Sequence, residues 1–140
     1  MQTENFSKAI QKFSLVMPQI ETAFFRCDVH LSRIMTTAVS RSYPLHRHTY
    51  YELHIPIFGM AEYLVDGDTH ICTPENALLI APNYAHQHVR SENYAAVTLG
   101  FTFTAPASLT GQTIPGSAYM AIPVSTDIQN ALIYILHTFI

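Results

Sequence analysis

Three histidines and a glutamate share the nine residues "HRHTYYELH" (46–54). In an extended strand alternate side chains lie on one face, so His46, His48, Glu52 and His54 have the parity to point the same way. Imidazole nitrogens with one carboxylate suit a divalent transition metal such as Zn, Mn, Fe, Ni or Cu. Two histidines plus a carboxylate with open positions is the ligand set of non-haem iron oxygenases. A further ligand has to come from another strand, and "APNYAHQHV" offers His86 with His88 as its same-face neighbour. The metal set is then His46, His48, Glu52 and His86. The same four side chains could equally form a polar cavity wall in which they satisfy one another without any ion.

The spacing carries more weight than the composition. With 8 His in the chain, a chance His-x-His is expected at roughly even odds. Adding Glu52 four residues on and Gly59 seven beyond it lowers the expectation to roughly one in a thousand. Tyr50 shares the inward parity and could hydrogen-bond a sugar or carboxylate, or simply fill core, whereas Tyr51 faces the other way. His54 and His88 are placed at the rim or behind the ligands. His30, His70 and His137 have no partner in the sequence.

These residues need strands to hold them. From about Ile20 to Phe103 the chain alternates short Val-, Ile-, Thr- and aromatic-rich segments with turn signals every 8 to 12 residues, the pattern of an antiparallel sandwich or barrel. The clearest hairpin is "AEYLVDGDTHIC", turning at Asp66-Gly67. Further strands are expected in "HTYYELHIPIF", "NALLIAP" and "YAAVTLGFTF", with Pro56 marking an edge or a bulge. Val97, Leu99, Phe101 and Phe103 share one face and are expected in the core or on a cavity floor.

Helical periodicity appears only at the ends. Phe6, Ala9, Ile10 and Phe13 form a short stripe that Pro18 cannot continue. After a Pro-, Gly-, Ser- and Thr-rich loop over 104–118, Asp127 can cap a helix with Ile128, Ala131, Leu132, Ile135, Leu136 and Phe139 on one stripe. Ile133, Tyr134 and Ile140 widen that apolar surface. The pattern still runs at the last residue, so the chain reads as a fragment whose helix continues into a dimer contact. The boundaries are an N-terminal arm or helix over 1–18, a β domain over 19–124 and a helix start over 125–140.

Composition narrows the classes. At 140 residues and 15.7 kDa the chain holds one core without staples. Its net charge of -3, with 7 Lys plus Arg, argues against gripping a phosphate backbone unaided. No apolar run approaches the ~20 residues that span a bilayer, and the start lacks a secretory signal, so a cytoplasmic location is expected. Cys27 and Cys72 stand apart without any zinc spacing and read as reduced thiols.

His46, His48, Glu52 and Gly59 match the first half of the cupin signature, and Pro82 to His86, "PNYAH", resembles its second half. More narrowly, "PLHRHTYYELHIPIFGMAEYLVDG" followed by "LLIAPNYAHQH" resembles the N-terminal sensor domain of AraC-type transcription regulators. The resemblance implies a mainly β, cupin-like double-stranded β-helix, or jelly-roll barrel, flanked by a short N-terminal helix and a C-terminal helix. It implies a small-molecule effector, a sugar among the options, bound by His46, His48, Tyr50, Glu52, His54, His86 and His88. It further implies a homodimer, contact with DNA only through a C-terminal domain outside this chain, and no catalysis. Two positions depart from the cupin pattern. Pro74-Glu75-Asn76 replaces a glycine turn, where Asn76 can tolerate a left-handed conformation, and Tyr84 or Ala85 replaces the glycine before His86. The alternative from another class is a stand-alone metal-dependent cupin, an oxygenase or isomerase.

Overall fold

The structure is a computed structural model that describes residues 19–21, 26–37, 42–104 and 118–138. The expected helix at Phe6 to Phe13 and most of the loop after Thr104 lie outside these residues. The strands are β1 (Gln19–Glu21), β2 (Arg26–Thr37), β3 (Tyr51–Val65), β4 (Asp68–Cys72), β5 (Asn76–Ile80), β6 (His86–Thr104) and β7 (Tyr119–Pro123), followed by helix α1 (Thr126–Thr138). All form one antiparallel seven-stranded sheet, ordered β1-β2-β6-β3-β5-β7, with β4 also on β3. The sheet curls into a half-barrel of the cupin type.

β3 and β6, of 15 and 19 residues, are the spine. β3 lends Glu52–His54 to β5 and Ala61–Val65 to β4 on its other side. Between them it turns from one partner to the next, and the register against β6 shifts at Pro56/Phe58 and Phe58/Met60. Pro56 therefore marks a bulge, where a missing N–H does least harm.

Gly59 makes this bend possible. It sits at φ 75, and a Cβ there would lie 2.0 Å from the carbonyl oxygen of Asn93. The inserted residue inverts the alternation. Before it Glu52, His54 and Pro56 are buried, and after it Ala61, Tyr63 and Val65 are. Simple period-2 parity would place Tyr63 opposite His54 across the sheet. The bulge puts both on the concave side.

The main core gathers Ala61, Tyr63, Val65, Cys72, Leu78, Ile80, Tyr94 and Ala96. Cys72 is buried here, which pushes its thiol up to about 12, and both cysteines are free. Val97 packs with Ile55, Ile57 and Leu99 on the opposite, convex face. Leu53 pairs with Leu99 and Tyr51 with Phe101 on that face, so Leu99 and Phe101 do not form a cavity floor. The side chain of Phe103 lies outside the described residues.

The hairpin turns at Asp66 and Gly67, both at positive φ, as read from the sequence. At Thr73 to Asn76 the turn closes through the Asn76 N–H on the Thr73 carbonyl at 2.9 Å. Asn76 is not left-handed: Pro74 favours a turn that needs no positive φ after it. β7 escaped the sequence reading because five residues ending in Pro123 offer little pattern. The cap of α1 is Ser125, whose Oγ accepts from the Ile128 N–H at 3.3 Å; Asp127 sits instead in the first turn, where the helix dipole favours it. Ile128, Ala131, Ile133 and Tyr134 are exposed on this helix, whereas the side chains of Leu132, Ile135, Leu136 and Phe139 lie outside the described residues. Among the described residues no helix is long and apolar enough to cross a membrane.

Gly59→Ala is expected to cost about 3 kcal/mol or more of folding stability, because strain and a backbone clash add. Gly67→Ala, at φ 93 but facing open space, should cost only about 1 kcal/mol. Urea denaturation of the two variants separates them.

Candidate functional site

His46 and His86 are joined backbone to backbone. Each N–H donates to the other's carbonyl, at 3.0 and 2.9 Å, which sets the two rings 4.3 Å apart. Asn83, at φ 67, donates its N–H to the His48 carbonyl at 2.7 Å, and the His48 ring lies 4.7 Å from that of His86. β3 begins only at Tyr51, after a bend at 49–50. The first two histidines thus converge through pairing with residues 83–86, not through a continuous strand with Glu52 as their parity suggested. The ligand-type atoms of His46, His48, Glu52 and His86 all lie within 4.8 Å of one another.

Each of the three imidazoles is oriented by the backbone. Nδ1 of His46 faces the Pro44 carbonyl at 2.9 Å, that of His48 the Tyr50 carbonyl at 2.8 Å, and that of His86 the Tyr84 carbonyl at 3.0 Å. A carbonyl can only accept, so Nδ1 carries the hydrogen and Nε2 keeps its lone pair. Nε2 of His48 and of His86 is buried without a hydrogen-bond partner. Glu52 Oε2 stands 2.9 Å from His48 Nε2, but a lone pair facing a carboxylate is two acceptors, and the contact lacks hydrogen-bond alignment. Only a cation between them, a proton or a metal ion, turns that contact into an attraction.

The other carboxylate oxygen meets a different group. Glu52 Oε1 lies 2.6 Å from His54 Nε2, while His54 Nδ1 is within 3.1 Å of the Thr98 hydroxyl and 3.2 Å of that of Tyr63. The hydroxyls can donate to Nδ1, leaving Nε2–H to face Glu52; the contact is short but poorly aligned. Burial pushes the Glu52 carboxyl up, and His54, then His48 and His86, outweigh it and hold the group at about 2.

All of these ionisable side chains except His48 open onto a cavity of about 260 Å³, lined by His46, Glu52, His54, His86 and His88. Arg33, Tyr43, Pro44 and Tyr63 complete the lining. His54 and His88 are not rim residues: they are 1% and 3% exposed. His88 is sandwiched between Tyr63, 5.0 Å away, and Tyr43, 5.8 Å away. Neither of its ring nitrogens has an aligned hydrogen bond; an approach to the Arg90 backbone is too weak in geometry to count as one. Tyr50 does not line the cavity. It stacks on His48 at 4.1 Å and 3°, in space left by Gly100, where a Cβ would lie 2.7 Å from the Tyr50 ring.

Sequence reading missed Arg33, Tyr43, Pro44 and Tyr63. Tyr63 is hidden by the parity inversion at Gly59. Arg33 is placed by register alone, since it pairs with Thr98, which pairs with His54. Tyr43 and Pro44 come with the segment that pairs on His88. His30 is exposed, bonds Thr102 at 2.7 Å and does not line the cavity.

The profile of the AraC-like ligand-binding domain matches residues 29–122. The chain belongs to this family. Within it, the matched span contains every lining residue named above. No curated protein matches the sequence significantly. Among solved structures, the AraC-like domain is similar to YhaK from Escherichia coli, at 13% identity and TM-score 0.51, covering 71% of this chain and 44% of that one. It is also similar to apo ToxT K231A from Vibrio cholerae, at 13% identity and TM-score 0.51, covering 84% and 48%. A second ToxT structure gives 10% identity and TM-score 0.50, covering 81% and 47%. The chain thus spans just under half the length of these structures, and the likeness is one of fold.

Acid should destabilise the domain in two stages. Burial lowers the pKa of His86 and His88 from the ordinary 6.5; the folded state binds fewer protons, so their contribution is complete above that pH and is lost as pH falls below it. Glu52, held at about 2 against an ordinary 4.5, adds a second loss between those values. Thermal melts from pH 8 to 3 should show both, and His88→Phe should reduce the first stage alone.

Proposed function

We propose that this AraC-like domain is the effector-sensing and dimerisation part of a transcription regulator, taking a small molecule into the cavity between the 43–48 segment, β3 and the start of β6. The observation that carries the reading is the half-open cavity on the concave face, lined by ionisable and aromatic side chains, within a ligand-binding family. An effector there touches the 43–48 segment and β2 as well as the spine. It can bias a two-state arrangement of the flanking segments only by its different affinity for the two states. DNA-binding modules outside this chain would receive that bias, and the exposed side chains Ile128, Ile133 and Tyr134 of α1 supply apolar surface for a twofold contact. Sensing requires no catalytic step, and a domain of this kind works in the cytoplasm.

The four-residue cluster fits a divalent transition metal, because buried Nε2 lone pairs of fixed tautomer face a carboxylate that has no donor between. His46, His48, Glu52 and His86 would hold the ion, which would serve as a Lewis-acid anchor for an effector oxygen. That same observation favours a second reading, a metal-dependent cupin enzyme, with His54 and Tyr63 beside Glu52 as the groups able to hold or pass a proton.

Light scattering on the 140-residue chain should give a mass near twice 15.7 kDa; a monomer at high concentration would remove the dimerisation role. Fused to a DNA-binding module that represses only as a dimer, the domain should confer repression that added metabolites modulate, and a constitutive outcome across a broad metabolite set would sink the sensor reading. Zinc titration should saturate at one ion per chain, with His86→Ala abolishing it and Tyr50→Ala, which frees the His48 ring, weakening it roughly tenfold. Chelator-sensitive turnover of any cupin substrate would favour the enzyme instead.

A further inference from the structure

Among the arginines of the described residues, Arg26 is paired with Asp28 and Arg90 with Glu62 and Glu92, while Arg47 is exposed and does not line the cavity. Arg33 differs from all three. It stands on the concave face in the row Arg33–Thr98–His54 that the register of β2, β6 and β3 defines. It lines the cavity, and its Nε is buried without a hydrogen-bond partner. The carboxylate that shares the lining, Glu52, is turned to His54 and His48 at 2.6 and 2.9 Å. The cavity thus holds a permanent cation that no ion pair joins to a carboxylate among the described residues.

We propose that the effector is a small organic carboxylate, held by the guanidinium of Arg33 with its body against the Tyr43–His88–Tyr63 stack. The proposal rests on the effector-binding reading above. A partly buried guanidinium whose Nε has no hydrogen-bond partner among the described residues is costly, and a carboxylate matches its planar fork with two charge-assisted hydrogen bonds. A neutral polyol leaves that charge uncompensated. The wall beside it is flat and aromatic: His88 lies at 24° to the Tyr43 ring and at 26° to the Tyr63 ring, a surface suited to planar or apolar groups. His88, 3% exposed and with both nitrogens unaligned to any partner, offers one more hydrogen bond to a polar substituent. The volume of about 260 Å³ lies at the low end for ligand cavities, which favours compact acids over long chains.

The test uses the 140-residue chain, its Arg33→Met and Arg33→Lys variants, and three probe sets. These are propionate, succinate, benzoate and phenylacetate, then their amides, then D-glucose and D-galactose. Binding is read by calorimetry, and its place by the ring-proton shifts of Tyr43 and His88. At least one acid should bind in the cavity, its amide at least about tenfold more weakly. Arg33→Met should weaken the acid by about thirtyfold or more, with Arg33→Lys retaining part of the affinity. If Arg33→Met does not fold, the acid-to-amide ratio and Arg33→Lys still decide. Amides or sugars bound in the cavity as tightly as the acids, or an acid indifferent to Arg33→Met, would overturn the carboxylate inference and leave the effector cavity standing. No probe of any set moving the cavity resonances would overturn both.

Discussion

The close approach of β3 to β6 at Gly59 is the constraint on which the rest of the structure depends. A backbone carbonyl occupies the place of a side chain there, so the strand can bend, add a residue and invert its alternation. Before the bulge the inward-facing residues are Glu52 and His54, then Pro56 at the bulge itself. Everything after it is core: Ala61, Tyr63 and Val65. The bulge therefore joins a hydrophobic floor to a polar cavity along one strand. It also brings the Tyr63 hydroxyl to the ring of His54.

The polar half is organised from the backbone outward. Carbonyls at Pro44, Tyr50 and Tyr84 fix the tautomers of His46, His48 and His86 before any ligand arrives. Fixed Nδ1–H groups leave Nε2 lone pairs converging near a carboxylate. Such an arrangement is preorganised for a cation and poorly satisfied without one. Tyr50 contributes from outside the cavity, as a stacking plate behind His48 in the gap left by Gly100. Its part is orientation, and a hydroxyl directed at a ligand is not needed for it.

Charge is divided across the cavity. On one side, Glu52 is surrounded by imidazoles and stays ionised despite burial. On the other, Arg33 reaches the same space from β2 and brings a cation that pairs with no carboxylate among the described residues. The aromatic stack of Tyr43, His88 and Tyr63 lies in the same lining. Such divided contacts can link separate segments through one bound molecule. The segment at 43–48, β2, β3 and the start of β6 all reach the lining.

The sequence by itself determined the mainly β class, the Asp66-Gly67 hairpin, an edge or a bulge at Pro56, and the residues His46, His48, Glu52 and His86 that cluster in space. These were legible because they rest on local facts: alternation, turn chemistry, a proline without an N–H, and a spacing too specific for chance. What local facts could not carry, only the tertiary structure decided. A single inserted residue reverses parity, so Tyr63 was invisible to period-2 reasoning, whereas His54 and His88 shared the inward parity of Glu52 and His86 and only their depth was decided by the fold. Cross-strand register decides which residue of β2 stands beside Thr98, so Arg33 could not be placed without it. Ser125 rather than Asp127 caps α1 because the helix begins at Thr126, two residues before its apolar stripe at Ile128, and capping follows the hydrogen bond. The convergence of His46 and His48 with His86 arises from a pairing between segments some forty residues apart, which no periodicity within either one encodes.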